Sequence, residues 1–339
     1  MTRSAADRLR ALQGPGQIWS HSALTRFETC PYSYLGRYVD QIVDPPSTPL
    51  VQGTLTHATA AALLREPALT PAAALTRARA ADPHQALVDP SCDSTIRQWG
   101  RDAVHAVPRD ARSLQAEAVW LQALPADAGH PVPADFRIAP WERDLAQRVP
   151  YAWLRAQDAL RAAGADAVMA GPDLVVETAD GVRIRDWKTS RPPVEGPEGL
   201  VPRYRGQLAL YGAVARRRFP GRPLALDLQV LVAPAIVPVA LTTPDFDAAA
   251  RRVFETGQAI KAAARRGRSG FPTRVGAGCR FCPLAQGVTA EGTPFCPEGA
   301  AHRHGQGWDR WDERNRAERL AAGIRWMGDP PTTAQPSLF

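Results

Sequence analysis

Residues 171–190 read GPDLVVETADGVRIRDWKTS, and the fold turns on this stretch. Asp173 to Glu177 is a short apolar run, Ala179-Asp180-Gly181 is a turn signal, and Val182 to Trp187 alternates apolar with polar. Asp-Gly between two short strands marks a β-hairpin. On such a hairpin Asp173 and Asp186 fall on neighbouring strands and can meet at one end of the sheet. Asp186 and Lys188, two residues apart on one strand, share a face. Two hard oxygen ligands and one ammonium are thereby brought together. Mg2+ prefers such ligands and keeps several waters. A lysine beside it can orient an attacking water and offset charge that builds on a phosphate. An isolated Asp-x-Lys is more often a solvated strand edge, so the surrounding chain must decide.

Downstream, Tyr204–Arg217 reads as a helix, Leu224–Val232 and Ile236–Leu241 as strands, and Asp245–Arg266 as a long helix. Together with the hairpin they make an α–β–β–α–β core between about 165 and 242. Upstream, Ser22–Val39 reads as a helix interrupted by Pro31, and Thr54–Arg65 as an Ala-rich helix. Residues 68–112 are helical and polar with proline breaks, which suggests an inserted region. Leu114–Leu121 suits a strand, 125–140 a proline-rich loop, and Trp141–Ala163 a helix broken at Pro150. After Gly270 the chain is loop-like, Trp308–Met327 is an amphipathic helix, and a polar tail follows Asp329. The fold class expected is α/β, a mixed central sheet flanked by helices with a helical insertion.

The chain has 339 residues, 45% hydrophobic and 22% charged, an ordinary globular balance. A net charge of +7 suits a polyanionic partner without requiring one. No apolar run reaches 18 residues, so no membrane span is expected. Met1–Arg10 lacks an apolar signal core, and a cytoplasmic location is expected. In a reducing compartment five cysteines point to metal binding rather than disulfides. Cys279 and Cys282 form a CxxC followed by proline, Cys296 is again followed by proline, and Cys30 lies far upstream. Four thiolates can hold a 4Fe–4S cluster or a zinc ion. Cys92 is left over as a buried or free thiol.

Three more features stand in order around the hairpin. Gly53-Thr54-Leu55-Thr56-His57 is a GxxxH, and Gln207-Leu208-Ala209-Leu210-Tyr211 is a QxxxY whose end residues share one helix face. Trp19 to Pro31 carries Leu24, Phe27 and Cys30. The series His, Asp, Asp-x-Lys, Gln-x-x-x-Tyr, bracketed by one cysteine and three, resembles the RecB-like branch of the PD-(D/E)xK nucleases over about residues 17–300. The resemblance implies a restriction-endonuclease-like core with an iron–sulfur subdomain, and metal-dependent hydrolysis of DNA, as an exonuclease in repair or replication. It implies that His57, Asp173, Asp186 and the backbone carbonyl of Trp187 bind Mg2+ or Mn2+. Lys188 would position the water, with Gln207 and Tyr211 supporting the lysine and the phosphate. Cys30, Cys279, Cys282 and Cys296 would hold the cluster.

The chain departs from the family in three places. Ala61 stands where the family often has an acid four residues after the histidine. Residues 66–165 match poorly. The 13 residues between Cys282 and Cys296 exceed the usual gap, which leaves zinc as the alternative. Asp158 is a rival to Asp173, and Glu117 a further carboxylate. The domains expected are an extension (1–16), the nuclease domain (17–300, its cysteine region at 270–300), a helix (301–328) and a tail (329–339).

Arg216–Arg218 and the basic run from Lys261 to Arg268 can track a DNA backbone or be solvated helix ends. Trp19, Tyr32, Tyr34 and Trp187 can stack on single-stranded DNA or belong to the core. Gln335-Pro336-Ser337-Leu338-Phe339 resembles the QLxLF-type peptides that dock into the bacterial sliding clamp. In that reading Leu338 and Phe339 fill an apolar pocket and Gln335 makes polar contacts. The alternative function is a non-catalytic, clamp-associated DNA-binding factor that kept the fold.

Overall fold

The computed structural model describes residues 4–124, 136–137, 157–158, 160–162 and 164–329. The sequence expectations for Trp141–Ala163 and for the tail fall largely or wholly outside these residues. The chain forms two compact units, each discontinuous in sequence. The larger comprises Gly14–Leu24 and Gln52–Gln258, the smaller Met1–Gln13, Thr25–Val51 and Ala259–Phe339.

The strands are β1 (Ile18–Ser20), β2 (Ser113–Ala116), β3 (Trp120–Ala123), β4 (Phe136–Arg137), β5 (Ala167–Ala170), β6 (Leu174–Glu177), β7 (Val182–Lys188), β8 (Leu224–Val230) and β9 (Ala235–Pro238). All lie in the larger unit. The α/β class with mixed sheet flanked by helices holds, and the strands form two mixed sheets, ordered β1-β5-β3-β4 and β2-β6-β7-β8-β9. The reason lies in two chain crossings. β2 and β3, read from the sequence as one strand, part at Glu117, and β5 and β6 part around Asp173. The Glu117 N–H donates to the Asp173 carbonyl at 2.7 Å and Ala118 N–H to the Pro172 carbonyl at 3.0 Å. The two crossings therefore run side by side. Glu117 takes the left-handed backbone region, φ +52°, an uncommon conformation for a side chain of this kind.

The hairpin is β6 and β7, antiparallel with Leu174 opposite Arg185 and Glu177 opposite Val182. β7 is central and pairs β8 in parallel, Asp186 against Leu228. A parallel neighbour needs a crossover, and the segment between β7 and β8 supplies a helix. Gly181 is required at the turn, since a Cβ there would lie 2.5 Å from the Pro223 carbonyl oxygen.

The helices are α1 (Ala5–Ala11), α2 (His21–Thr29), α3 (Pro31–Tyr38), α4 (Thr48–Arg65), α5 (Pro71–Ala81), α6 (Asp93–His105), α7 (Val201–Arg218), α8 (Thr243–Arg265), α9 (Pro283–Gln286), α10 (Pro297–Gly305) and α11 (Asp309–Ala321). The helix expected over Ser22–Val39 is broken at Cys30, because the proline that follows opens a new helix at its first position. In the larger unit Ala60 of α4, Ala103 of α6, Leu174, Val176, Trp187 and Leu231 form one buried cluster, with Trp99 packed against it. Thr56 and Thr59 are also buried on α4, and their hydroxyls donate to the Gln52 and Leu55 carbonyls at 2.9 and 2.7 Å. Part of the stretch 66–165 is thus core: α6 packs on the sheet, and β2 and β3 are sheet strands.

In the smaller unit Ile42, Leu284, Cys296 and Trp326 form a second core, flanked by Tyr32, Cys282 and Phe295. Phe27, Tyr34 and Phe271 make a ring cluster at centroid distances of 5.7–6.1 Å. No described helix is long and apolar enough to cross a membrane.

Candidate active site

α4 carries His57 to the paired crossings. Its Nδ1 lies 3.1 Å from Asp173 Oδ1 and 3.3 Å from Glu117 Oε1. These three residues each offer a ligand atom within 4.8 Å of the others. The second oxygen of Asp173 accepts the Trp187 N–H at 2.7 Å. The Trp187 ring, fully buried, meets the His57 ring edge-on at 5.6 Å. On β7 the Lys188 ammonium lies 2.5 Å from Asp186 Oδ2. From α7, Gln207 Nε2 donates to Asp186 Oδ1 at 3.1 Å and to the Tyr211 hydroxyl at 2.6 Å. The Tyr211 hydroxyl in turn donates to the Gly171 carbonyl at 2.9 Å. The helix is thereby tied both to the hairpin strand and to the Asp173 crossing. Gln207 binds the Asp186 carboxylate, not the lysine ammonium that the sequence reading offered it.

The electrostatics are those of crowded, buried charge. Burial works against a charged imidazole, but Asp173 and Glu117 outweigh it and hold His57 up at about 10. Burial, and then the charge of Asp173, push Asp186 up to about 7 against the pull of Lys188. Burial would raise Asp173 too, yet His57, Lys188 and the Trp187 N–H keep it below the ordinary carboxylate range. Burial opposes the Lys188 charge, and Asp186 and Asp173 overcome it, so its pKa is raised.

One imidazole nitrogen and several carboxylate oxygens at this spacing form a donor set that fits a hard divalent cation while leaving room for water and an oxygen-rich ligand. His57, Asp173 and Glu117 would hold it, with Asp186 alongside.

The structure thus brings His57, Asp173, Asp186, Lys188, Gln207 and Tyr211 together. Asp158, the rival carboxylate, is 70% exposed on its side chain and paired with Arg161 at 2.6 Å. Glu117 takes a more central place than the sequence reading gave it. The gap at Ala61 was the signal, since a missing acid on α4 leaves room for one from elsewhere. The composition carries a second signal. Lys188 and Lys261 are the only lysines in a chain with 41 basic residues. Where arginine is the habit, a lysine on the hairpin marks a position that needs a compact ammonium. Trp19, Tyr34 and Trp187 are buried and closed to stacking with bases, while Tyr32 is half-buried with its hydroxyl on the Phe295 carbonyl.

The four cysteines all belong to the smaller unit. Cys30, Cys282 and Cys296 each immediately precede the first residue of a helix, α3, α9 and α10, whose first residue is proline. Cys30 Sγ accepts the Arg274 N–H at 3.4 Å and Cys296 Sγ the Gly299 N–H at 3.3 Å. Burial, with the neighbouring thiols, pushes Cys296 up to about 11 and raises Cys282. Cys279 is buried on the 3-10 turn Ala277–Phe281. Arg303, also buried, donates to the carbonyls of Cys279 and Arg280. Cys92 stands at the start of α6 in the larger unit. Gln335, Leu338 and Phe339 lie outside the described residues.

No curated protein matches the chain. A family model described as the PD-(D/E)XK nuclease superfamily matches residues 18–286, a span that takes in the whole constellation from His57 to Tyr211. The matched span covers well over half of the sequence, and the chain belongs to the PD-(D/E)XK nuclease superfamily.

Proposed function

We propose that the chain is a metal-dependent deoxyribonuclease of the RecB-like branch. The observation that carries this reading is the convergence of His57, Glu117 and Asp173 donor atoms next to the Asp186–Lys188 pair. A divalent cation bound there would act as a Lewis acid toward a phosphate oxygen and make water more acidic. Lys188 donates to the attacking water and to the non-bridging phosphate oxygens, where negative charge grows in the transition state. Asp186 holds the lysine, and Gln207 holds Asp186. Tyr211 keeps α7 in register with the Asp173 crossing, so one hydrogen-bonded chain sets the distance between ammonium and ligands. The Trp187 carbonyl is kept as a further oxygen ligand, on the strength of the family resemblance. Lys188→Ala, with its circular dichroism spectrum unchanged, is expected to lose cleavage by three orders of magnitude or so. Retained cleavage in that variant would refute the assignment.

The substrate proposed is DNA with single-stranded character, cut as an exonuclease in repair or replication, in the cytoplasm. The nuclease domain proposed is 17–300. Exposed Arg216 and Arg217 at the end of α7 are suited to a DNA backbone. The proposed occupant of Cys30, Cys279, Cys282 and Cys296 is a 4Fe–4S cluster with a structural role. Backbone N–H groups directed at the Cys30 and Cys296 sulfurs would support bound thiolates, and the charge of a bound metal would offset the burial that raises Cys282 and Cys296. Four thiolates also suit a zinc ion, which is the alternative occupant. The tail Gln335–Phe339 is proposed to dock in a sliding clamp, on its sequence alone.

A further inference from the structure

We infer that Tyr204 is a positioning residue for Lys188, and that the working face of α7 is therefore Tyr-x-x-Gln-x-x-x-Tyr. This inference rests on the reading of Lys188 as the group that acts at the phosphate. The Lys188 ammonium lies 4.3 Å from the centroid of the Tyr204 ring, with Asp186 Oδ2 at 2.5 Å. Ring and carboxylate are thus two separate holds on one ammonium. A carboxylate alone lets the ammonium swing on its flexible four-carbon stem. An aromatic face adds attraction by its quadrupole and closes off one direction of swing.

Tyr204 is placed by the helix itself. α7 begins at Val201, three residues earlier than the sequence reading put it, so Tyr204 sits in the first turn. Tyr204, Gln207 and Tyr211 follow one another at i, i+3 and i+7, one face of a helix. Gln207 binds Asp186, Tyr204 takes Lys188, and Tyr211 is bound to the Gly171 carbonyl. The ring plane is set from its far end, where the Tyr204 hydroxyl lies 3.3 Å from Ser190 Oγ. Ser190 is two residues beyond Lys188, so the same chain segment supplies both the ammonium and the anchor for the ring. Tyr204 is half-buried, and the Arg203 guanidinium lies 5.4 Å from its ring centroid.

The chain's composition gives a direct test. Lys188 and Lys261 are its only lysines, so protein grown on lysine labelled with carbon-13 at Cε gives two signals. In the wild type, the ring current should move the Lys188 ε signal away from the Lys261 signal. In Tyr204→Phe the displacement should persist, and in Tyr204→Leu it should collapse. Cleavage measured beside it should show kcat reduced between a few-fold and about thirtyfold in Tyr204→Leu with KM unchanged, the range expected of a desolvated cation–π contact. Tyr204→Phe should recover the rate to within about threefold. An undisplaced Lys188 signal in the wild type, or one unchanged by Tyr204→Leu, would overturn the inference. So would a rise in KM with kcat intact, which would make Tyr204 a platform for a base. A displaced signal in a wild type that cleaves no DNA would leave the positioning intact and sink the nuclease reading instead.

Discussion

His57 shows how far the site is from that of a free histidine. With Asp173 and Glu117 at 3.1 and 3.3 Å, it keeps its proton up to about pH 10. A cation that binds His57 must displace that proton, and around pH 7 the one on Asp186 as well. Metal affinity is thus expected to rise with pH up to about 10, by up to about tenfold per pH unit between about 7 and 10, where only the His57 proton must leave, and more steeply below about 7, where the Asp186 proton must leave too. Calorimetric titration with Mn2+ in buffers of different ionisation enthalpy reads the protons directly, and a pH-independent affinity would count against His57 as a ligand. Most of these residues were legible because their spacing is local: Asp186 and Lys188 share a strand face, and Gln207 and Tyr211 a helix face. Glu117 was hard to find because nothing local marks it. It reaches the site through a backbone turn that the sequence does not announce.

That turn belongs to the scale of elements. The sequence reading treats Leu114–Leu121 as one strand, since its apolar and polar residues give no break. The structure splits it at Glu117, in the left-handed region. Glycine adopts this conformation freely, and other residues pay about 1–2 kcal/mol. The usual order of helix and strand preference, in which alanine beats glycine, is expected to reverse here. Glu117→Gly should unfold at a higher temperature than Glu117→Ala, by roughly 1 kcal/mol in stability. Both should lose metal affinity alike, because both lose the carboxylate. Equal melting temperatures would mean that the crossing carries no strain. The hairpin itself was legible to within a residue or so at each strand end, because Asp180-Gly181 fixes the turn and Gly181 is required by the close approach of Pro223. The split of one sheet into two was not legible, since it depends on long-range pairing of the two crossings.

At the scale of the whole molecule, two discontinuous units are built from one chain, the carboxylate site in one and the four cysteines in the other. The cysteine set was legible as a set from the CxxC and the repeated Cys-Pro. That Cys30, Cys282 and Cys296 each stand just before a helix was not, because α3, α9 and α10 are short helices that the sequence pattern does not set apart. If the set holds a cluster, Cys282→Ala protein should lose visible absorption and melt earlier, and an unchanged spectrum would exclude the cluster. The central claim, however, concerns the larger unit. The most direct measurement is incubation of end-labelled single- and double-stranded DNA with the purified protein in Mg2+, Mn2+ or EDTA, beside Asp186→Ala. Cleavage that requires the cation and disappears in the variant is the result predicted. Cleavage that survives EDTA or the Asp186→Ala change, or folded wild-type protein that binds DNA and Mn2+ without cutting, would contradict it.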